Sequence, residues 1–99
     1  MGETITARIE EELSETIDEI ARKEGVDRSA IVRRFLDRGT SEWLIERSLR
    51  EYEEGRITLW HAAEKCDLSL WEMMREAEKR EIQVPYTVEE FKKDIRALE

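Results

Sequence analysis

The stretch Ile5-Thr6-Ala7-Arg8-Ile9 alternates apolar and polar side chains directly ahead of the acidic run Glu10-Glu11-Glu12. A period of two over that length is the pattern of a β-strand with one buried face. Ile5, Ala7 and Ile9 share one face, while Thr4, Thr6 and Arg8 share the other. No neighbouring run offers a ladder partner. Strand N–H and C=O groups are costly to leave unpaired wherever water is excluded, so the strand needs a mate. The economical solution is a second copy: two such strands pair antiparallel above the helices of both chains. Thr4, Thr6 and Arg8 of both copies then point outward together.

Helical spacing takes over after the strand. Ile9, Leu13, Ile17, Ile20 and Ala21 recur at steps of three and four, with Arg22 and Lys23 in the last turn and Gly25 as a stop. Asp27 suits the N-cap of a second helix carrying Ile31, Val32, Phe35 and Leu36. Gly39, ahead of Thr40 and Ser41, reads as a break or a tolerated kink, after which a third helix with Trp43, Leu44, Leu49 and Tyr52 runs to Glu54 and closes at Gly55. Thr58 can cap a short helix with Leu59, Ala62, Ala63 and Cys66 on one stripe, and Asp67 falls in the turn. Ser69-Leu70-Trp71-Glu72 is a capping box opening a helix with Leu70, Met73, Met74 and Ala77. Two helices joined by so short a turn have a helix-turn-helix outline. Ile82, Val84 and Tyr86 alternate around Pro85 as an extended edge segment, and Thr87-Val88-Glu89-Glu90 opens a last helix with Phe91, Ile95 and Leu98.

The run "ITARIEEELSETIDEIARKEGVDRSAIVRRFLDRG" resembles the ribbon-helix-helix superfamily of DNA-binding dimers, the group of the CopG, Arc and MetJ repressors. The resemblance covers roughly the first two fifths of the chain. It implies that the paired strands enter the major groove of operator DNA as a β-ribbon, a docking mode open to two-stranded ribbons. Thr4, Thr6 and Arg8 fall on the base-reading positions, and an arginine there suits a bidentate contact to guanine. Backbone amides around Arg28 and Ser29 fall on the phosphate clamp, where a helix start favours an anion. Arg28, Arg33, Arg34 and Arg38 add basic support, diluted by Asp37. Asp27 departs from the pattern: it caps the helix well but repels a phosphate. A ribbon that only joins two chains remains the alternative reading of the same strand.

A second resemblance covers most of the chain after residue 44. "EEGRITLWHAAEKCDLSLWEMMREA" followed by "IQVPY" looks like a small, uncharacterised prokaryotic family of helix-turn-helix, antitoxin-like proteins. The resemblance implies an antitoxin whose partner is a toxin, often a nuclease of the PIN-domain type. Glu72, Glu76 and Glu78 on the would-be recognition helix argue against its insertion between phosphates. Aromatic and apolar anchors suit a protein interface, which makes Trp71, Ile82, Val84, Tyr86 and Phe91 candidates for toxin contact. The same side chains could instead complete the module's own core.

Chemistry is sparsely supplied. The 99 residues include one His and one Cys, so His61 and Cys66 offer two metal ligands at most, too few for a tetrahedral site. Cys66 lies on an apolar stripe and reads as an inert thiol. No glycine-rich phosphate loop is present, so no catalytic residues, no metal and no cofactor are expected, and the protein is expected not to be an enzyme. The net charge of -8 opposes nonspecific binding to DNA or membranes. It does not forbid a local basic surface, because fields decay over about 10 Å at ordinary salt. With neither a signal-peptide pattern nor an apolar run near the ~20 residues of a membrane span, the expected home is the cytoplasm.

The expectation is therefore a mainly α protein in two parts. Residues 1–40 form a ribbon-helix-helix, its one strand paired across a homodimer, and residues 41–99 form a helical module with a helix-turn-helix. The expected role is that of an antitoxin and transcriptional autoregulator binding operator DNA and a cognate toxin, with no membrane association. The alternatives are an oligomeric interaction module without DNA binding and a DNA-binding regulator without a toxin.

Overall fold

The computed structural model describes residues 2–84, and among these the regular elements are four α-helices. Residues 2–10 form no helix, and Glu10 is extended at φ -71° and ψ 153°. A strand is defined by its ladder, and among the described residues no segment pairs with this stretch, so the expected strand is not formed there. The mainly α class holds. Tyr86, Phe91 and the expected last helix lie outside the described residues.

Helix α1 spans Glu11–Glu24, with acids at its start and Arg22 and Lys23 at its end, as the helix dipole favours. Gly25 then turns left-handed at φ 67°; its N–H donates to the Arg22 carbonyl, and the Val26 N–H donates back to Ala21. That pair of bonds closes the helix and satisfies carbonyls that would otherwise be orphaned. Asp27 does cap the next helix, its Oδ1 accepting from the Ala30 N–H at 2.8 Å.

Helix α2 spans Arg28–Glu53 without interruption. The break or kink expected at Gly39 does not end the helix, and the expected third helix is the second half of α2. The reason is local. A helix ends where the chain turns left-handed and captures the last carbonyls, as at Gly25 and at Gly55, where φ is 76°. Gly39 shows no such turn, and a helical glycine in the absence of one costs only about 1 kcal/mol relative to alanine.

Helix α3 is Leu59–Lys65, capped by Thr58, whose Oγ1 accepts from the His61 N–H at 3.0 Å. Helix α4 is Leu70–Lys79. Its capping box is complete: Ser69 Oγ accepts from Glu72 N–H, and Glu72 Oε1 accepts from Ser69 N–H. Asp67 and Glu81 take left-handed φ values of 56° and 57° at the ends of α3 and α4. Leu68 N–H then bonds to Ala63, and Ile82 N–H to Ala77. All four of these helices thus finish with the same reach-back, two of them without a glycine.

The described residues divide into two compact units after Gly39. In the first, the buried side chains are Ile17, Ala21 and Ile31, with Ile20 and Val32 against them. In the second, Leu49 of α2 meets Ala62 and Ala63 of α3 and Met73 and Ala77 of α4. The alanines let α3 and α4 approach closely, and the methionines fill the irregular space left between them.

Candidate nucleic-acid and partner interfaces

In the first unit Thr4, Thr6 and Arg8 are all exposed. The residues meant to face inward are exposed too: Ile5 is 78% accessible, and Ile9, Leu13, Phe35 and Leu36 remain open to solvent. Soluble chains seldom leave so many large apolar side chains uncovered beside so small a core. The set comprises Ile5 and Ile9 of the extended stretch, Leu13 of α1, and Phe35 and Leu36 of α2. A second copy placed over them would bury the side chains and complete the ladder together.

The clamp region is engaged internally. Arg28 donates from Nη1 to Asp18 Oδ1 and from Nη2 to Ser14 Oγ, each at 2.6 Å. These bonds staple the start of α2 to the middle of α1. Ser29 stands exposed in the first turn. Arg34 Nη1 donates to both carboxylate oxygens of Glu24, at 2.9 and 2.8 Å. Two of the arginines expected as basic support are therefore paired with carboxylates within the unit, though both remain exposed, as are Arg8, Arg33 and Arg38. A pair ten residues apart joins two helices, so no helical spacing could have disclosed it.

In the second unit the basic end of α4 is also committed. Glu76 accepts from Lys79 and Arg80, and Arg80 donates to Glu42 on α2 as well. The Arg80 bond holds the Glu76 carboxyl below its usual range, against the opposing effect of burial. Glu51 is lowered in the same direction, chiefly by its bond from Lys65. Glu72 is engaged in the capping box, and Arg75 is the exposed cation in the middle of α4.

Of the side chains picked out for toxin contact, Ile82 and Val84 pack against the unit's own core, and Trp71 is half-buried. Trp60, next in sequence to Leu59 of the α3 stripe, is 60% exposed. It borders a shallow 280 Å³ depression with Leu68, Leu70 and Trp71. Cys66 is half-buried, its Sγ 3.5 Å from Ser48 Oγ, and His61 is exposed. Among the described residues no three His, Cys, Asp or Glu side chains gather as a metal site. No helix among them is long and apolar enough to cross a membrane.

Residues 3–39 match the ribbon-helix-helix protein, copG family, which defines the first unit as a ribbon-helix-helix module and points to a DNA-binding regulator. Proteins of that class bind DNA as dimers. Residues 27–99 match the uncharacterised protein family UPF0175, and the chain belongs to that family. The two matches overlap over residues 27–39, the stretch that opens α2. No curated protein and no solved structure matches the chain.

Proposed function

We propose that this protein is a cytoplasmic antitoxin and transcriptional autoregulator. It pairs through its amino-terminal ribbon, reads an operator with Thr4, Thr6 and Arg8, and neutralises a toxin, a nuclease of the PIN-domain type, with its second unit. It acts by binding and not by catalysis. The observation that carries the reading is the uncovered apolar set of Ile5, Ile9, Leu13, Phe35 and Leu36, beside a strand-like sequence with no mate among the described residues. Base contact from Arg8 compensates for the phosphate-directed charge that Arg28 and Arg34 spend on Asp18 and Glu24. Toxin contact falls to the exposed Trp60 and the adjoining Trp71, because aromatic anchors dominate such interfaces.

The test is an electrophoretic mobility shift with the gene's own upstream DNA across a salt series, paired with co-purification of the neighbouring gene's product. A shift that weakens steeply with salt and a stable binary complex are the expected results. A second reading, an oligomeric interaction module with no DNA role, is favoured by the internal pairing of Arg28 and Arg34. Absence of any shift at low salt would select it.

A further inference from the structure

Four large apolar residues of α2 are exposed: Phe35, Leu36, Trp43 and Leu44. At about 100° per residue they share one continuous face of the helix. Leu36 and Trp43 run along its centre, with Phe35 and Gly39 on one side and Thr40 and Leu44 on the other. Ile31 and Leu49, the fully buried residues of α2, lie off that face. Arg47, one turn beyond Trp43, stands over the indole at 5.3 Å from the ring centre, a cation–π contact that orders this aromatic side chain.

The face reads the same from either end. Measured outward from the point between Gly39 and Thr40, Leu36 is matched by Trp43, and Phe35 by Leu44. Further out, Arg33 is matched by Glu46, and both are exposed. A two-fold interface has this property, because every contact of residue i on residue j is repeated as j on i. Two α2 helices laid antiparallel, crossing at that point, set Leu36 against the partner's Trp43 and Phe35 against the partner's Leu44. Arg33 of each then meets the partner's Glu46, an opposite-charge pair at both ends of the contact. Small residues at the crossing let the two axes approach to the near end of the usual ~8–10 Å. That gives a use to Gly39, which otherwise only weakens the helix.

We propose that a second copy of this chain covers the face through a shallow antiparallel crossing of α2 on α2, centred between Gly39 and Thr40. The crossing rests on the pairing of two copies proposed above and extends it. Phe35 and Leu36 belong to that pairing, whereas Trp43, Leu44 and Glu46 lie beyond the ribbon-helix-helix module. The occupant is a twin because the face complements itself, in apolar order and in charge. A foreign helix would need no such symmetry.

Cysteine pairing in the full-length chain tests this. In a Cys66→Ser background, Arg33→Cys with Glu46→Cys leaves the apolar stripe intact. Mild oxidation should link two chains, and a tryptic digest should join the peptide carrying residue 33 to the one carrying residue 46. Within one chain these positions stand about 20 Å apart at ~1.5 Å per helical residue, beyond the reach of a disulfide. Either single variant should link about tenfold less, since antiparallel helices keep identical positions apart. Gly39→Leu should cut the yield while α2 stays helical by circular dichroism. A Cβ at Gly39 meets nothing within 4 Å in its own chain, so that fall reports the second copy. Links between identical positions, single variants that link as well as the pair, or a yield untouched by Gly39→Leu would each overturn the crossing. Sedimentation of the unmodified protein separates the two claims. A dimer that depends on Ile5 but never joins 33 to 46 keeps the ribbon and removes the crossing, whereas a monomer at micromolar concentration removes both.

Discussion

Arg28 of α2 and Asp18 of α1 are joined at 2.6 Å, so the cation that opens α2 already has a carboxylate partner with which a phosphate must compete. Asp18→Asn should release it. Both side chains are about half exposed, so the stability cost is small, within the ~0–1 kcal/mol typical of surface pairs. Operator affinity should rise at low salt, and the slope of log K against log salt should steepen by up to about 0.9, one phosphate contact, in each protomer. Fluorescence anisotropy titrations at four salt concentrations would read this, and an unchanged slope would exclude Arg28 from phosphate contact.

Ile5 is the most exposed of the large apolar side chains among the described residues. Were it solvated in the functional protein, Ile5→Asp would be neutral. The ribbon arrangement predicts instead a loss of dimer, read as a fall in sedimentation coefficient at micromolar concentration, together with loss of the DNA shift. Arg8→Ala should keep the dimer and lose preference for the operator over unrelated DNA, by about 1–3 kcal/mol for each bidentate base contact removed.

Helix ends offer stability tests of opposite sign. Glu81 is left-handed without being glycine, and Glu81→Gly should stabilise the second unit by up to about 1 kcal/mol, since left-handed backbone costs a side-chain-bearing residue roughly 1–2 kcal/mol. Gly55→Ala should destabilise by a similar amount for the same reason. Gly39→Ala lies within α2, where an added Cβ meets nothing within 4 Å, and should raise helix stability by about 1 kcal/mol. Urea midpoints at constant m-value would rank the three.

Acid should loosen the second unit through Glu76. Its folded pKa lies below the ordinary value of 4.5, chiefly through the bond from Arg80, so its carboxylate stabilises the fold fully above that value. The contribution fades as pH falls from there through the lowered folded value. Glu76→Gln should therefore flatten the acid limb of a stability–pH profile, while lowering the plateau at neutral pH because Arg80 loses a charged partner.

The helices, their caps and most of the second core were legible in the sequence, because each rests on local chemistry. Ser69 with Glu72, Thr58 before Leu59, and Gly25 after Lys23 are signals within one or two turns. Gly39 left a break and a tolerated kink both open, because a glycine is a weak stop unless the chain also turns left-handed there, and the residue type alone does not dictate that turn. The engagement of Arg28, Arg34 and Arg80 was invisible for a different reason. Arg28, Arg34 and, through Glu42, Arg80 each pair with an acid on another helix, and only tertiary packing brings those carboxylates near. The Arg80–Glu76 pair, four residues apart, is the exception. Ile82 and Val84 read equally well as anchors for a partner or as core, and alternation alone does not say which surface an apolar side chain meets.

The meagre interior around Ile17, Ala21 and Ile31 has a practical corollary. On the proposed pairing, the first unit is completed by a second copy and melts at a temperature set partly by how much protein is in the cuvette. Calorimetric scans at two loadings should therefore disagree for the amino-terminal transition and coincide for the other. In a dividing cell, dilution alone would then loosen the operator-reading end first.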